Sequence, residues 1–200
     1  MGYGKYIAPP RGQYQVLSGE VLNLEFVVLP GESRDIDLSV DLVGEGAQAH
    51  IKALYLCKAD EKVNFRICMH HCAPGCHSTQ KINGIAGGSA QVHFDGTIVV
   101  APEAQQTEAY QENHNIVLSE EARVNTKPRL EIYADDVKCS HGATVGKLNE
   151  DEQFYMRSRG IPEDEAKVLQ MISFVAPVLE GLEDEALAST IESAIRSLAK

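Results

Sequence analysis

Two hundred residues, 44% hydrophobic and 24% charged, form a chain long enough to bury a sizeable core and ordinary in composition for a globular protein. A net charge of −11 argues against nucleic acid or an anionic membrane as main partner, and no apolar run reaches the roughly eighteen residues of a membrane span. Five cysteines are an odd number for a disulfide framework, so reduced thiols and a cytoplasmic setting are expected, the opening MGYGKYIAPPRGQYQV having no hydrophobic signal core.

Residues 1–19 are rich in Gly, Pro and Tyr and weakly patterned, which reads as an extended arm or an incomplete first strand. From Glu20 the period becomes two. Val21–Leu29, Arg34–Val43, His50–Cys57 and Lys62–Met69 alternate apolar and polar residues, and Gly96–Ala101, His114–Ser119 and Pro128–Ala134 continue the pattern. Asn83-Gly84 and Asp95-Gly96 read as tight hairpin turns. A sandwich, a barrel and a parallel β-helix all fit this pattern, and no hexapeptide or nonapeptide repeat selects the last of them.

The change to helix is legible. Asn149 precedes Glu150, Asp151 and Glu152, an N-cap with acids in the first turn, and Gly160 stops that helix. Pro162 opens a second helix with a buried stripe of Ala166, Leu169, Ile172 (or Met171) and Val175 that ends at Pro177. A third, Asp184–Leu198, sets Leu187, Ile191, Ala194, Ile195 and Leu198 on one side.

Three stretches carry chemistry-bearing residues. In YADDVKCSHGATVGKL (Tyr133–Leu148) an extended backbone points Cys139 and His141 the same way, and a thiolate beside an imidazole suits zinc, copper(I) or iron–sulfur chemistry, although two donors do not complete a tetrahedral site. Cys68, Cys72 and Cys76 stand with His70, His71 and His77 in one ten-residue stretch, either a zinc cluster or buried thiols beside turn histidines. Gln106, Thr107, Gln111 and Asn113 are polar residues inside strand-like sequence, as side-chain ladders stacked between coils would require. There is no phosphate-binding G-x-x-x-x-G-K-[ST] loop and no dinucleotide glycine fingerprint.

VHFDGTIVVAPEAQQTEAYQENHNIVLSEEARVNTKPRLEI (Val92–Ile132), KCSHGATVG (Lys138–Gly146) and FYMRSRG (Phe154–Gly160) together resemble the SufB/SufD family of iron–sulfur cluster assembly scaffolds, closer to its SufD branch. The resemblance covers about Glu20 to Gly181, in a chain much shorter than usual members. It implies a mainly β protein: an N-terminal arm (1–19), a right-handed parallel β-helix core (20–148) and a small helical region (149–200). It also implies a non-enzymatic scaffold in a SUF-type complex, binding no nucleotide itself and helping to form or hold a transient iron–sulfur cluster at a subunit interface.

The implied partners are a SufB-like subunit and a SufC-like ABC ATPase, and exposed strand edges predict a homodimer when the chain is alone. His141 falls on the family's cluster histidine, with Cys139 as second donor. Ala122 falls where SufB has a cysteine, and Ser140 and Gly142 where SufB tends to have acids, so the chain resembles the SufD side of the pair. Phe154, Tyr155, Arg157, Arg159 and Gly160 mark the implied ATPase-docking surface. Two other readings are a homodimeric structural β-helix without a cluster role and a small zinc protein built on Cys68, Cys72 and Cys76.

Overall fold

The computed structural model describes residues 11–199; the part of the expected arm on residues 1–10 lies outside them. Ten strands come in order: β1 (Arg11–Val16), β2 (Val21–Val28), β3 (Arg34–Leu42), β4 (Gln48–Cys57), β5 (Lys62–His71), β6 (His77–Ala86), β7 (Gln91–Val100), β8 (Thr107–Val117), β9 (Arg123–Ile132) and β10 (Val137–Gly146). Odd strands pair in parallel in one sheet (sheet A, order β1-β3-β5-β7-β9), even strands in another (sheet B, order β10-β8-β6-β4-β2). The chain thus winds as a parallel β-solenoid of five two-strand coils. Arg11 pairs with Asp37, Arg34 with Val63, Lys62 with Gln91 and Gln91 with Arg123, so a coil takes 26 to 32 residues. That period is too long and too variable to show as a hexapeptide repeat.

The alternation has the expected cause: inward positions are apolar and stack coil on coil. Ile36, Leu38 and Val40 of β3 lie beneath Phe65, Ile67 and Met69 of β5, all fully buried. Part of the lumen is polar. Gln111 donates to Gln80 Oε1 at 3.1 Å, the coil-to-coil side-chain contact expected of it; Asn113 donates across coils to the Ile82 backbone carbonyl, and Asn115 to Asn113 Oδ1 within β8. Thr107 instead donates to the Ala104 carbonyl.

Gln106 is not in the ladder. By register it follows Gly19, Gly46 and Gly75 at one corner of successive coils, and all four have positive φ. A glycine takes that conformation at no steric cost; Gln106, at φ 60, is the one non-glycine residue described there.

The two dipeptides expected to form hairpins lie inside strands. Asn83-Gly84 is in β6 and Asp95-Gly96 in β7. Asn83 points outward and donates to the Phe174 carbonyl, and Asp95 accepts from Arg129, while each glycine makes room for a lumen side chain. A hairpin would be antiparallel; every pairing here is parallel.

Three helices follow: α1 (Glu150–Ser158), α2 (Glu163–Leu179) and α3 (Glu185–Leu198). A second apolar core joins the outer face of sheet B (Leu54, Leu56, Ile85, Ile116) to Val168, Met171, Val175, Ile191 and Ile195. The stripe of α2 is Ala166, Val168, Met171, Val175 and Val178, so Leu169, expected inside, is 41% exposed. Nor does α2 end at Pro177. Proline in the last turn removes one N–H there, and the helix continues to Leu179.

Asn149 caps α1 as expected, its Oδ1 accepting from the amides of Asp151 and Glu152. Since α1 buries no side chain of its own, this cap carries an unusual share of its stability. Asn149→Ala is expected to cost α1 about 1 kcal/mol, seen as roughly fivefold faster amide exchange confined to that helix. Unchanged exchange in α1 would show that its contacts to α2 hold it instead.

Candidate functional site

β10 is the last strand of sheet B and β9 the last of sheet A; among the described residues nothing pairs with their outer edges. The final coil is therefore an open end. Cys139 registers with Ala109, His141 with Gln111 and Ala143 with Asn113, and all three β8 partners are buried, lumen-facing residues. Cys139 and His141 therefore stand on the lumen side of β10, with no further coil above them. Cys139 is half-buried and packs against the lumen core, while His141 is exposed.

Facing them across the coil are Val124, Thr126, Pro128 and Leu130 of β9, in register with buried Val92, Phe94, Gly96 and Ile98. Ile132 and Val145, also on lumen positions, are exposed apolar side chains. An open coil with free strand edges and uncovered apolar residues is a surface suited to another polypeptide.

Burial pushes the Cys139 thiol above its ordinary range, against a smaller opposite pull from the Ala109 amide, so metal ligation there must release a proton. Beneath His141, Gln111 keeps its Oε1 buried and without a partner, and Thr126 Oγ1 and Gln80 Nε2 are in the same state. These orphaned polar atoms make the lumen below the imidazole polar. Their position could be found only once Gln111 was known to underlie His141. Ala122 is buried just before β9. No group of three His, Cys, Asp or Glu side chains able to hold a metal is present among the described residues. Two donors alone, such as Cys139 and His141, would leave a four-coordinate site incomplete.

The Cys68, Cys72 and Cys76 set is divided by the alternation of β5. Cys68 and His70 face outward, while His71 is buried in the lumen with its Nε2 2.8 Å from Ser78 Oγ. Cys76 is buried in the turn and directs its thiol to the Gly44 carbonyl, whereas Cys72 is exposed. Cys68 Sγ lies 3.1 Å from His70 Nε2, and His70 Nδ1 lies 2.8 Å from Asp41 Oδ1, one coil below.

On α1, Phe154 is 73% and Tyr155 60% exposed, with the Arg159 guanidinium over the Tyr155 ring at 5.4 Å and Arg157 3.6 Å from Glu163. Gly160 takes φ 88 and ends the helix. Polar contacts tie α1 down: Gln170 of α2 donates to the Asn149 carbonyl and to Glu152. Beside it lies a cleft of about 480 Å³ lined by Tyr155, Met156 and Leu169.

The family model for the SUF system FeS cluster assembly, SufBD core domain matches residues 21–174. The chain belongs to the SufBD core family. It is 39% identical over 153 residues to the iron–sulfur cluster assembly protein SufD of Escherichia coli, covering 76% of this chain and 36% of that protein. An iron–sulfur cluster assembly SufBD family protein of Synechocystis is 44% identical over 115 residues, or 52% of this chain and 25% of its own length. Protein ABCI7, chloroplastic, of Arabidopsis thaliana is 33% identical over 161 residues, 74% and 34%. The chain therefore spans only a quarter to a third or so of these relatives, and its match to the SufBD core runs from β2 into α2.

Proposed function

We propose that this SufBD core protein is a non-enzymatic, cytoplasmic scaffold component of a SUF-type assembly complex. Its open terminal coil pairs with a SufB-like subunit, or with a second copy when alone, and there His141, helped by Cys139, holds a nascent iron–sulfur cluster as cargo. The observation that supports this reading is that Cys139 and His141 lie on the lumen side of the last coil, with no group of three possible metal donors around them among the described residues. His141 is open to solvent and beside free strand edges, as an interchain ligand requires. α1 offers Phe154, Tyr155, Arg157 and Arg159 around the Gly160 turn to an ABC-type ATPase, which supplies the nucleotide site this sequence lacks.

The test is anaerobic reconstitution with ferrous iron and sulfide on the complex with its SufB-like partner. His141→Ala is expected to lower cluster absorbance about tenfold or more, and Cys139→Ser by less. An unchanged visible spectrum in His141→Ala rejects the site. Co-purification with the ATPase, lost in a Phe154→Ala/Tyr155→Ala variant, separates this reading from a structural homodimer, which the free edges alone would also support.

A further inference from the structure

On the outer face of sheet A, remote in sequence from the final coil, three side chains from two adjacent strands form a chain of contacts that the scaffold role does not use. Asp41 of β3 registers with His70 of β5, and its Oδ1 meets Nδ1 of that ring at 2.8 Å. The carboxylate accepts the Nδ1 proton, which leaves Nε2 with its lone pair directed at the Cys68 thiol, 3.1 Å away. A thiol in reach of an imidazole that is itself oriented by a carboxylate is the arrangement by which a weak nucleophile is activated.

The site is open: the helices cover the outer face of sheet B, and on sheet A the nearby side chains of Arg66 and Asp37 are 74% and 41% exposed. The groups facing the sulfur are Asp41, Asp95 and Glu131, with Arg129 as the opposing charge; Arg129 itself is held by Thr97 and Asp95. Burial first, then the Asp41 and Glu131 carboxylates, keep Cys68 protonated at rest, so its proton must leave to a base as the sulfur reacts.

We propose that Cys68, with His70 as proton acceptor and Asp41 as the carboxylate that orients it, is a thiol–disulfide exchange site for a low-molecular-weight disulfide. The Cys68 proton moves to His70 Nε2, the sulfur attacks one sulfur of the disulfide, the S–S bond breaks, and the leaving thiolate takes the proton from His70. The products are a mixed disulfide on Cys68 and one free thiol, with no other oxidant consumed.

The experiment is timed modification of the intact protein by oxidised glutathione at pH 7, with peptide mass mapping of all five cysteines. At pH 7 Cys68 should react faster than Cys72, although Cys72 is the exposed thiol. His70→Gln should slow Cys68 at least about tenfold at pH 7, and Asp41→Asn should slow it by a smaller factor. Buried Cys57 and Cys76 serve as internal reporters of folding, since they react only if the coil opens. Faster reaction at Cys72, or an unchanged Cys68 rate in a His70→Gln protein that still protects Cys57 and Cys76, overturns the proposal. Should His70→Gln expose those two, Asp41→Asn decides, and an unchanged Cys68 rate in that protein rejects the proposal.

Discussion

Gly84→Ala is expected to cost this fold about 3 kcal/mol or more, and Gly84→Val to unfold it. Gly84 lies between Tyr55 of the coil below and Asn115 of the coil above, in register with both. The fully buried Tyr55 ring lies across the bare glycine, and its hydroxyl donates to Asn115 Oδ1 at 2.5 Å, spanning two coils. A Cβ on Gly84 would sit 1.8 Å from Cζ of that ring, inside any possible contact. The ring must then move, which strains the packed lumen and leaves a buried hydroxyl and a buried amide without each other. Overpacking costs about 1–3 kcal/mol and each orphaned polar group about the same. Denaturant unfolding of a double-mutant cycle checks the cause. Tyr55→Ala alone should cost about 3–5 kcal/mol by leaving a cavity, and Gly84→Ala added to it should cost little more. Additive losses would show that the glycine serves the backbone and not the ring.

Acid should weaken the chain through His71 before its carboxylates matter. The ring is 1% exposed, its Nε2 meets Ser78 Oγ across the lumen, and its Nδ1 has no partner. Burial first, then His77 and His70, push its pKa down from 6.5 to about 4. In the unfolded chain the imidazole takes its proton near pH 6.5; in the folded chain it resists down to about 4, so the unfolded state binds more protons in between. The contribution is fully present above 6.5 and lost as pH falls to 4, about 3 kcal/mol in all.

Glu61 acts lower. Burial raises its pKa, but the amides of Gly31, Ala59, Glu61 and Lys58 outweigh that and lower it below 4.5, so its contribution is lost only beneath that value. Urea unfolding at pH 7.5 and pH 4.5 should differ much less in His71→Gln, which keeps a polar group for Ser78 without a proton to gain. An equal loss in both proteins would place the acid sensitivity elsewhere, with His50, lowered by burial, His77 and Lys52, the next residue to replace.

Where the lumen is apolar, local patterning located the strands well: β2, β3 and β4 begin and end within two residues of the alternating runs that predict them. The runs Gly96–Ala101 and Pro128–Ala134 missed the first five residues of β7 and β9, and patterning failed at β6, HSTQKINGIA, and over the first half of β8, TEAYQENHNIV, the last two for one physical reason. Their inward residues include Ser78, Gln80, Gln111 and Asn113, polar groups partnered largely by other coils, so hydrophobicity no longer tracks the lumen side. The coil period was present in another form. Asp35 with Asn64, Asp37 with Arg66, Asp41 with His70 and His50 with Thr79 are complementary pairs 29 residues apart. Such pairs are invisible until the period is known.

The sequence by itself determined a strand-rich body, the three C-terminal helices with the Asn149 cap, the membership that KCSHGATVG and its flanking motifs announce, and the pairing of Cys139 with His141 on one strand face. Those are properties of neighbours along the chain, set by alternation, capping and short motifs. Only the tertiary structure decided that this face closes nothing and tops an open lumen above Gln111, that Asn83-Gly84 and Asp95-Gly96 are strand interior, and that Cys68 leaves Cys76 to join His70 and Asp41. The reason is that a solenoid makes its contacts across a whole coil, so what a side chain meets is set by the residue about thirty positions away.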